Sequence, residues 1–520
     1  MQILEGRALK LRLRNPARVT SVIPKSTVID TDSAGRSQVL VHWGLDEAII
    51  LKNLGFTMVP SPIIGRYKWP GIYHPMDHQR VTSSFLTLHK RAYCFNEQGT
   101  GKTLSVAWAA DYLMELARIK RVLVICPVST MQTSWQSDLF RSVMHRTVGI
   151  AHGTREKRIR VINSSAEFVI INPDGVNTVA KELRAAKFDL IVVDEATCVK
   201  TASTTRWRAI NSLVTPSTWV WMLTGTPAAQ SPMDAYGLAR MMDRATAPAT
   251  ESSWRDEVMI KVTQFKWVPR MGSKELVFNL LQPAIRFSKE ECLDLPELLM
   301  VTREVELTRH QKSAYESIRK YLAVAAQGAV ITAVNAASGM SKLMQISSGS
   351  AYTDDGVTLD FDMQPRYKEL RSVIDESSHK VLVFVPYTNM VDRLHEMLNA
   401  DGYTAEIIDG RVSARNRADI ITRFQRDPEP QVLVLQPQAV SHGVTLHAAN
   451  TSVWWGPVTS YETYAQANAR MYRKGQRNAC LVVNLQGSPV EKLRYEALAS
   501  MSKDQTSLLG MYEEVLKLTM

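Results

Sequence analysis

The sequence predicts an α/β protein in which two parallel-sheet units stand in tandem, preceded by a small α+β segment and closed by helix. Three observations predict this. Short apolar runs alternate with helical stretches from residue 76 to about 284. The same rhythm returns between 381 and 484, and only the first round carries a glycine-containing phosphate loop.

That loop is Asn96-Glu97-Gln98-Gly99-Thr100-Gly101-Lys102-Thr103, set between an apolar run at 92–95 and a stretch at 104–110 that reads as helix. Strand, loop and helix N-terminus in this order make an anion site, because unpaired backbone N–H groups and the helix dipole point at phosphates. In such a loop Lys102 reaches the β- and γ-phosphates and the Thr103 hydroxyl ligates Mg²⁺. Asn96 takes the place of the pattern's usual first glycine.

Residues 1–72 lack the strand–helix alternation of the two units. A strand is expected at 38–43 and a helix at 46–54, closed by Gly55. Pro60, Pro62, Pro70, Gly71 and Pro75 then form a stiff connector. The basic residues Arg7, Lys10, Arg12, Arg14, Arg18 and Lys25 read as a solvated face rather than a nucleic-acid contact.

In the first unit the expected strands are 92–95, 122–126, 168–171, 190–193 and 219–223. Several are continuous apolar runs, as strands covered on both faces require. The run at 190–193 ends in Asp194-Glu195-Ala196-Thr197, two carboxylates at the carboxyl tip of a strand, where open α/β sheets bind ligands. Asp194 is placed to hold Mg²⁺ and Glu195 to orient and deprotonate an attacking water. Thr224 and Thr226 offer hydroxyls at the next tip, and Gln79 offers an amide suited to an adenine edge.

Residues 287–376 read as a more helical stretch, with an Ala/Ser/Gly-rich middle, 323–349, expected to be mobile and a surface turn at Asp354-Asp355-Gly356. The second unit's strands are expected at 381–385, 406–408, 432–435, 451–455 and 480–484. In Gln466-Ala467-Asn468-Ala469-Arg470-Met471-Tyr472-Arg473, a spacing of three puts Arg470 and Arg473 on one helix face. Read alone this is a basic solvated helix; after a phosphate loop it reads as a pair of arginine fingers. The end of the chain, from 490 to 520, reads as one or two amphipathic helices.

Composition sets the class. The chain has 520 residues, 45% hydrophobic and 22% charged, so most of it should fold. A net charge of +11 and a pI near 9.3 favour a polyanionic partner. Five scattered cysteines argue against zinc and disulfides and suit a reducing cytoplasm. The charged N-terminus is no secretory signal and no apolar run is long enough to span a bilayer, so a cytoplasmic protein without membrane contact is expected.

The order of these motifs resembles superfamily two helicase-type ATPases, and within them the SWI/SNF-like (DEAD/DEAH-box-related) branch. The resemblance rests on Asp77-His78-Gln79, the loop at 96–103, Cys126-Pro127-Val128-Ser129-Thr130 followed by Trp135, Asp194 to Thr197 with Lys200, and Leu223 to Pro227. It continues through Val305 to Gln311 with Tyr315, 343–346, 380–385, Asp409-Gly410-Arg411, 436–449, Trp454-Trp455 with Pro457, Gln466 to Gln476 and Val490-Glu491. Asn96 stands where this branch's loop has an acid, and Thr197 where it commonly has histidine. The compact form resembles versions found in bacteriophages and bacteria.

The resemblance, which covers about 72 to 515, implies two tandem RecA-like domains with a helical brace, and the N-terminal segment outside it reads as a small accessory domain. The expected boundaries are 1–72, 73–285, a helical linker at 286–370, a second domain at 371–490 and the brace at 491–520. It implies ATP and Mg²⁺ as cofactors, with Thr103 and Asp194 on the metal and Lys102, Asp194, Glu195, Arg470 and Arg473 as catalytic groups. Nucleotide contacts would come from Gln79, Gln98, Gly99, Thr100, Gly101, Lys102, Thr103, Gly443 and Gln466, and nucleic-acid contacts from Ser129, Asn172, Lys200, Thr388 and Ser441. The implied activity is a DNA translocase acting as a monomer on duplex or branched DNA, in the host cytoplasm if phage-encoded. The alternatives are a strand-separating DNA or RNA helicase and a nucleotide-dependent switch. A small-molecule kinase is disfavoured, because the arginine pair lies in a separate α/β unit.

Overall fold

A computed structural model of the chain describes residues 1–519 apart from 229, 264–266, 328–332, 353–356 and 441–443; side chains of 321–327, 333–337, 414, 505–507 and 509–519 are also outside the description. The expected turn at Asp354-Asp355-Gly356, Ser441 and Gly443 therefore lie outside the described residues.

The apolar runs of the first unit pair into a seven-stranded parallel sheet. Its order is Ala284–Ile285, Arg91–Cys94, Trp219–Leu223, Leu190–Asp194, Val122–Ile125, Phe168–Ile171, Val148–Ala151. Val122 to Ile125 and Phe168 to Ile171 are buried throughout, which is why these strands read as unbroken apolar runs instead of alternating ones. The helix Lys102–Glu115 is buried from Ser105 to Met114, since it lies between the sheet and a further layer.

That layer is the N-terminal segment, a four-stranded antiparallel sheet ordered Gln2–Leu4, Ala8–Leu13, Ser37–His42, Ser26–Thr31, with the helix Leu45–Asn53 after it. Its inward residues Leu9, Leu11, Val39 and Val41 share one apolar core with Trp108 and Tyr112. Only the strand near 38–43 was legible by pattern; the Leu9-Lys10-Leu11-Arg12-Leu13 alternation is the period-two signal of its neighbour. These elements form the first of two compact units, Met1–Ile260 with Pro269–Cys292 and the closing residues from Ser507.

The second unit spans Lys261–Val268 and Leu293–Thr506. It holds a six-stranded parallel sheet ordered Leu298–Glu304, Cys480–Gln486, Ala449–Trp454, Lys380–Phe384, Val432–Leu435, Ala405–Ile408. The edge strand Leu298–Glu304 was not expected from sequence; Leu299, Met300 and Val301 are exposed, so no buried face imposed a pattern on it. The stretch at 323–349, expected to be mobile, carries the end of the helix Arg309–Gln327 and the helix Ala333–Ser348, with 328–332 undescribed. The chain's last element is a single helix, Pro489–Thr519. Among the described residues no helix is long and apolar enough to cross a membrane.

Candidate functional site

The phosphate loop leaves the strand Arg91–Cys94 and enters the helix Lys102–Glu115 through Gly101, whose φ is +79°. The backbone angle demands glycine there, and a Cβ would stand 2.1 Å from the Gln79 amide nitrogen and displace that side chain. Gln79 is buried behind the loop. Its Nε2 donates to the Thr100 and Gly101 carbonyls at 3.4 Å each, and its Oε1 accepts from Met76 N–H at 3.0 Å. Inside the loop the Thr100 hydroxyl donates to the Glu97 carbonyl at 2.8 Å, and Lys102 Nζ donates to the Asn96 carbonyl at 2.8 Å. Asn96 is itself buried and donates from Nδ2 to Thr82 Oγ1 at 2.8 Å. Gln98 packs beside Gly225 at the neighbouring strand tip, where Thr224 Oγ1 accepts from Thr226 N–H at 3.1 Å.

Asp194 and Glu195 stand at the carboxyl end of Leu190–Asp194, one strand beyond Trp219–Leu223. Asp194 Oδ1 accepts from Glu195 N–H at 3.0 Å and Oδ2 from the Trp135 indole N–H at 2.8 Å. Burial, and then the Glu195 charge, push the Asp194 carboxyl up to about 6, while the Trp135 bond and the Lys102 ammonium pull the other way. Glu195 takes φ +50° and ψ 60°, a left-handed conformation rare for a residue with a Cβ and concentrated at functional sites.

Trp135 belongs to a single π-helical turn, Met131–Gln136, a distortion frequent where proteins function. Its neighbour Ser134 places Oγ 3.4 Å from Thr103 Oγ1. Adjacent residues thus touch the loop threonine and the strand-tip aspartate. In the sequence Trp135 marks the resemblance without showing a role, because a π turn leaves no period to read.

Ser129, Asn172 and Lys200 lie just beyond the carboxyl ends of the adjacent strands Val122–Ile125, Phe168–Ile171 and Leu190–Asp194, on the edge that carries Asp194. The Ser129 carbonyl accepts from the Thr133 hydroxyl at 2.6 Å. Asn172 caps the helix Pro173–Thr178 and accepts from Arg158 Nη1 at 2.9 Å. Lys200 pairs with Asp234 at 3.3 Å.

In the second unit the helix Tyr461–Asn468 stops before the arginines, so Arg470 and Arg473 do not share a helix face. The chain turns there because Gln476 Nε2 donates to the Ala449 carbonyl at 2.8 Å and Asn468 Oδ1 accepts from the Trp454 indole at 3.0 Å, pinning both ends of the turn to the sheet. The two guanidiniums converge all the same: Arg470 Nη1 and Arg473 Nη1 donate to the Val444 carbonyl at 3.4 and 2.9 Å. Arg470 Nε also donates to the Gln466 carbonyl at 3.0 Å, and Gln466 donates from Nε2 to Glu462 at 3.1 Å. Thr388 opens the helix Thr388–Ala400 and accepts from Gln436 Nε2 at 3.3 Å.

Comparison with known proteins assigns both units to families. Residues 89–352 match the SNF2-related domain and residues 365–475 the helicase conserved C-terminal domain. Protein p41 of Acyrthosiphon pisum secondary endosymbiont phage 1 is 25% identical over 340 residues, 62% of this chain and 74% of that protein. The uncharacterized ATP-dependent helicase MG018 of Mycoplasma genitalium is 24% identical over 75% of this chain and 37% of its own length. The DNA annealing helicase and endonuclease ZRANB3 of Homo sapiens is 24% identical over 76% of this chain and 36% of its own length. The chain thus spans less than half of the two larger relatives. With both conserved domains present in order, the chain belongs to the SNF2-related family of helicase-like, ATP-dependent ATPases.

Proposed function

We propose that this chain is a DNA-stimulated motor that couples ATP hydrolysis to movement along, or remodelling of, duplex or branched DNA in replication, recombination or repair. The observation that carries the reading is the single turn Met131–Gln136, whose Ser134 and Trp135 touch Thr103 and Asp194. It ties together the two oxygen ligands a magnesium nucleotide asks of the first unit.

The donor set fits Mg²⁺. A threonine hydroxyl and a carboxylate are hard oxygen ligands of the kind Mg²⁺ takes. When bound, Mg²⁺ neutralises charge on the terminal phosphates. Lys102 and the backbone N–H groups of Gln98 to Thr103 hold those phosphates, and Gln79 braces the loop from behind. Glu195 orients the attacking water and takes its proton. Arg470 and Arg473 of the second unit supply positive charge to the transferring phosphoryl, with Gly443 and Gln466 on the nucleotide.

The net charge of +11, the placement of Ser129, Asn172 and Lys200 along one sheet edge, and the likeness to a DNA annealing helicase all support DNA as the track. Thr388 and Ser441 are assigned to the same contact in the second unit.

The test is steady-state ATP hydrolysis with no nucleic acid, single strands, duplex, forked DNA and RNA. Turnover should rise roughly tenfold or more with duplex-containing DNA and vanish in Lys102→Ala and Glu195→Gln, because each removes a group phosphoryl transfer needs. Stimulation by RNA or single strands alone would favour a strand-separating helicase. No stimulation at all would sink the motor and leave a nucleotide-dependent switch.

A further inference from the structure

Glu97 is the charged residue of the loop ahead of Lys102, and its two polar ends serve different partners. Its carbonyl oxygen belongs to the loop: it accepts from the Thr100 hydroxyl at 2.8 Å and from Lys102 Nζ at 3.4 Å. Its carboxylate leaves the loop. Oε2 accepts from the Lys289 backbone N–H at 2.9 Å and lies 3.6 Å from Arg286 Nη2, while Oε1 lies 3.8 Å from Lys289 Nζ. The backbones join as well, with Glu97 N–H donating to the Phe287 carbonyl at 2.9 Å.

The receiving residues are not a loose surface. Arg286 and Lys289 are each 5% exposed, and Arg286 Nη1 donates to the carbonyls of Phe95 at 3.0 Å and Phe287 at 2.8 Å. Buried cations hold their anion tightly, because separating the pair leaves charge stranded in low dielectric. Soon after Lys289 the chain passes from the first unit, at Cys292, to the long segment of the second that starts at Leu293. The carboxylate therefore clamps the phosphate loop to the segment by which the chain leaves that unit.

We infer that Glu97 is a positioning residue that couples nucleotide occupancy of the loop to this exit segment, residues 284–292. The inference rests on reading 96–103 as a nucleotide loop. An arriving triphosphate draws Lys102 Nζ away from the Asn96 and Glu97 carbonyls, and the peptide that carries Glu97 resettles. The carboxylate, paired with two buried cations, passes that shift to Arg286 and Lys289. A static clamp would hold the exit segment alike with and without nucleotide; a coupling residue makes the two states differ.

Hydrogen exchange on the full chain tests this, with and without a non-hydrolysable ATP analogue and Mg²⁺. In the wild type the analogue should change exchange across 284–292. In Glu97→Ala and Glu97→Gln the analogue should still bind, within about threefold, while its effect on 284–292 shrinks by roughly fivefold or more and kcat falls further than KM rises. Glu97→Asp should restore part of both. Lys289→Met leaves the loop's sequence intact and removes the Lys289 ammonium while Arg286 and the backbone N–H of 289 still hold the carboxylate, so it should show a partial uncoupling even if Glu97→Ala folds poorly. The inference is overturned if the wild type binds the analogue without any change at 284–292. It is equally overturned if Glu97→Gln and Lys289→Met keep the full change. Because nucleotide alone drives this readout, a lack of DNA stimulation, which would sink the motor, leaves the outcome standing.

Discussion

Asp194 occupies a place that disfavours an anion, and the Trp135 indole, the Lys102 ammonium and the Glu195 N–H hold it there. The Trp135 N–H, 2.8 Å from Oδ2, is a directed donor in a half-buried site, and it opposes the upward push of burial and of Glu195. Trp135→Phe removes the donor and keeps an aromatic ring there, at the cost of a small cavity because the indole is fully buried. Turnover is expected to fall by about tenfold, with nucleotide affinity changing less, since a misdirected carboxylate harms positioning more than binding. Steady-state kinetics beside equilibrium binding of a fluorescent nucleotide separates the two. His89 bears on stability instead. Burial, then the nearby Lys52, hold its pKa down to about 4 from 6.5, with the ring bonded to the Phe85 carbonyl at 2.7 Å. Between those values the unfolded chain binds the proton that the folded chain refuses, so stability falls as pH drops through that window. His89→Gln should flatten that part of the pH dependence by about 1–3 kcal/mol, read from urea midpoints measured near pH 7 and pH 4.5.

At the scale of elements, the second unit is closed by a buried ion pair between two helices. Arg366, near the start of Gln364–Glu376, meets Glu491, near the start of Pro489–Thr519, at 2.7 Å, with the side chains 3% and 1% exposed. The guanidinium also lies over the Trp455 ring at 5.6 Å and donates to the Trp455 carbonyl, while Glu491 Oε2 accepts from Gly487 N–H at 2.7 Å. Glu491→Ala strands the arginine and is expected to destabilise this unit by about 3–5 kcal/mol. The apolar double replacement, Arg366→Met with Glu491→Leu, should recover most of that loss. Denaturant unfolding of the single and double variants decides it; equal midpoints for all would mean the pair is stabilising nothing. The one helix whose two ends were expected, 46–54, is found at Leu45–Asn53, while the stretch read as helix at 104–110 runs from Lys102 to Glu115. The expected helix fails at Arg470 and Arg473, where Asn468 and Gln476 tie the chain to Trp454 and the Ala449 carbonyl and the helix stops at Asn468.

For the whole molecule, the net charge of +11 turns the motor reading into a salt prediction. If phosphate contacts dominate, apparent DNA affinity in the stimulated ATPase should fall by about 10³ or more between 50 and 200 mM salt for roughly six contacts. It should do so alike for duplexes of unrelated sequence. Lys200→Ala should lower the slope of log affinity against log salt by about one. A flat salt profile would mean the charge serves solubility rather than DNA. Lys200 is paired with Asp234 at 3.3 Å, so its contribution includes breaking that surface pair, which is worth little.

The sequence by itself determined the two parallel sheets and the phosphate loop with its helix, and it singled out Lys102, Thr103, Asp194 and Glu195 as the candidate site. Each depends on local pattern: an unbroken apolar run, a glycine where φ must be positive, an acid at a strand's end. The four-stranded N-terminal sheet was legible only in one strand, because antiparallel pairing across 2–42 is set by partners distant in the chain. The edge strand Leu298–Glu304 was not legible at all, since it buries almost nothing. Only tertiary structure decided that Trp135 holds Asp194, that Glu97 reaches Arg286 and Lys289, and that two arginines beyond a helix end meet at one carbonyl. The physical reason is common to all three. A hydrogen bond or ion pair between residues far apart in the chain leaves no period in the sequence, and its partners become neighbours only after the apolar runs have packed.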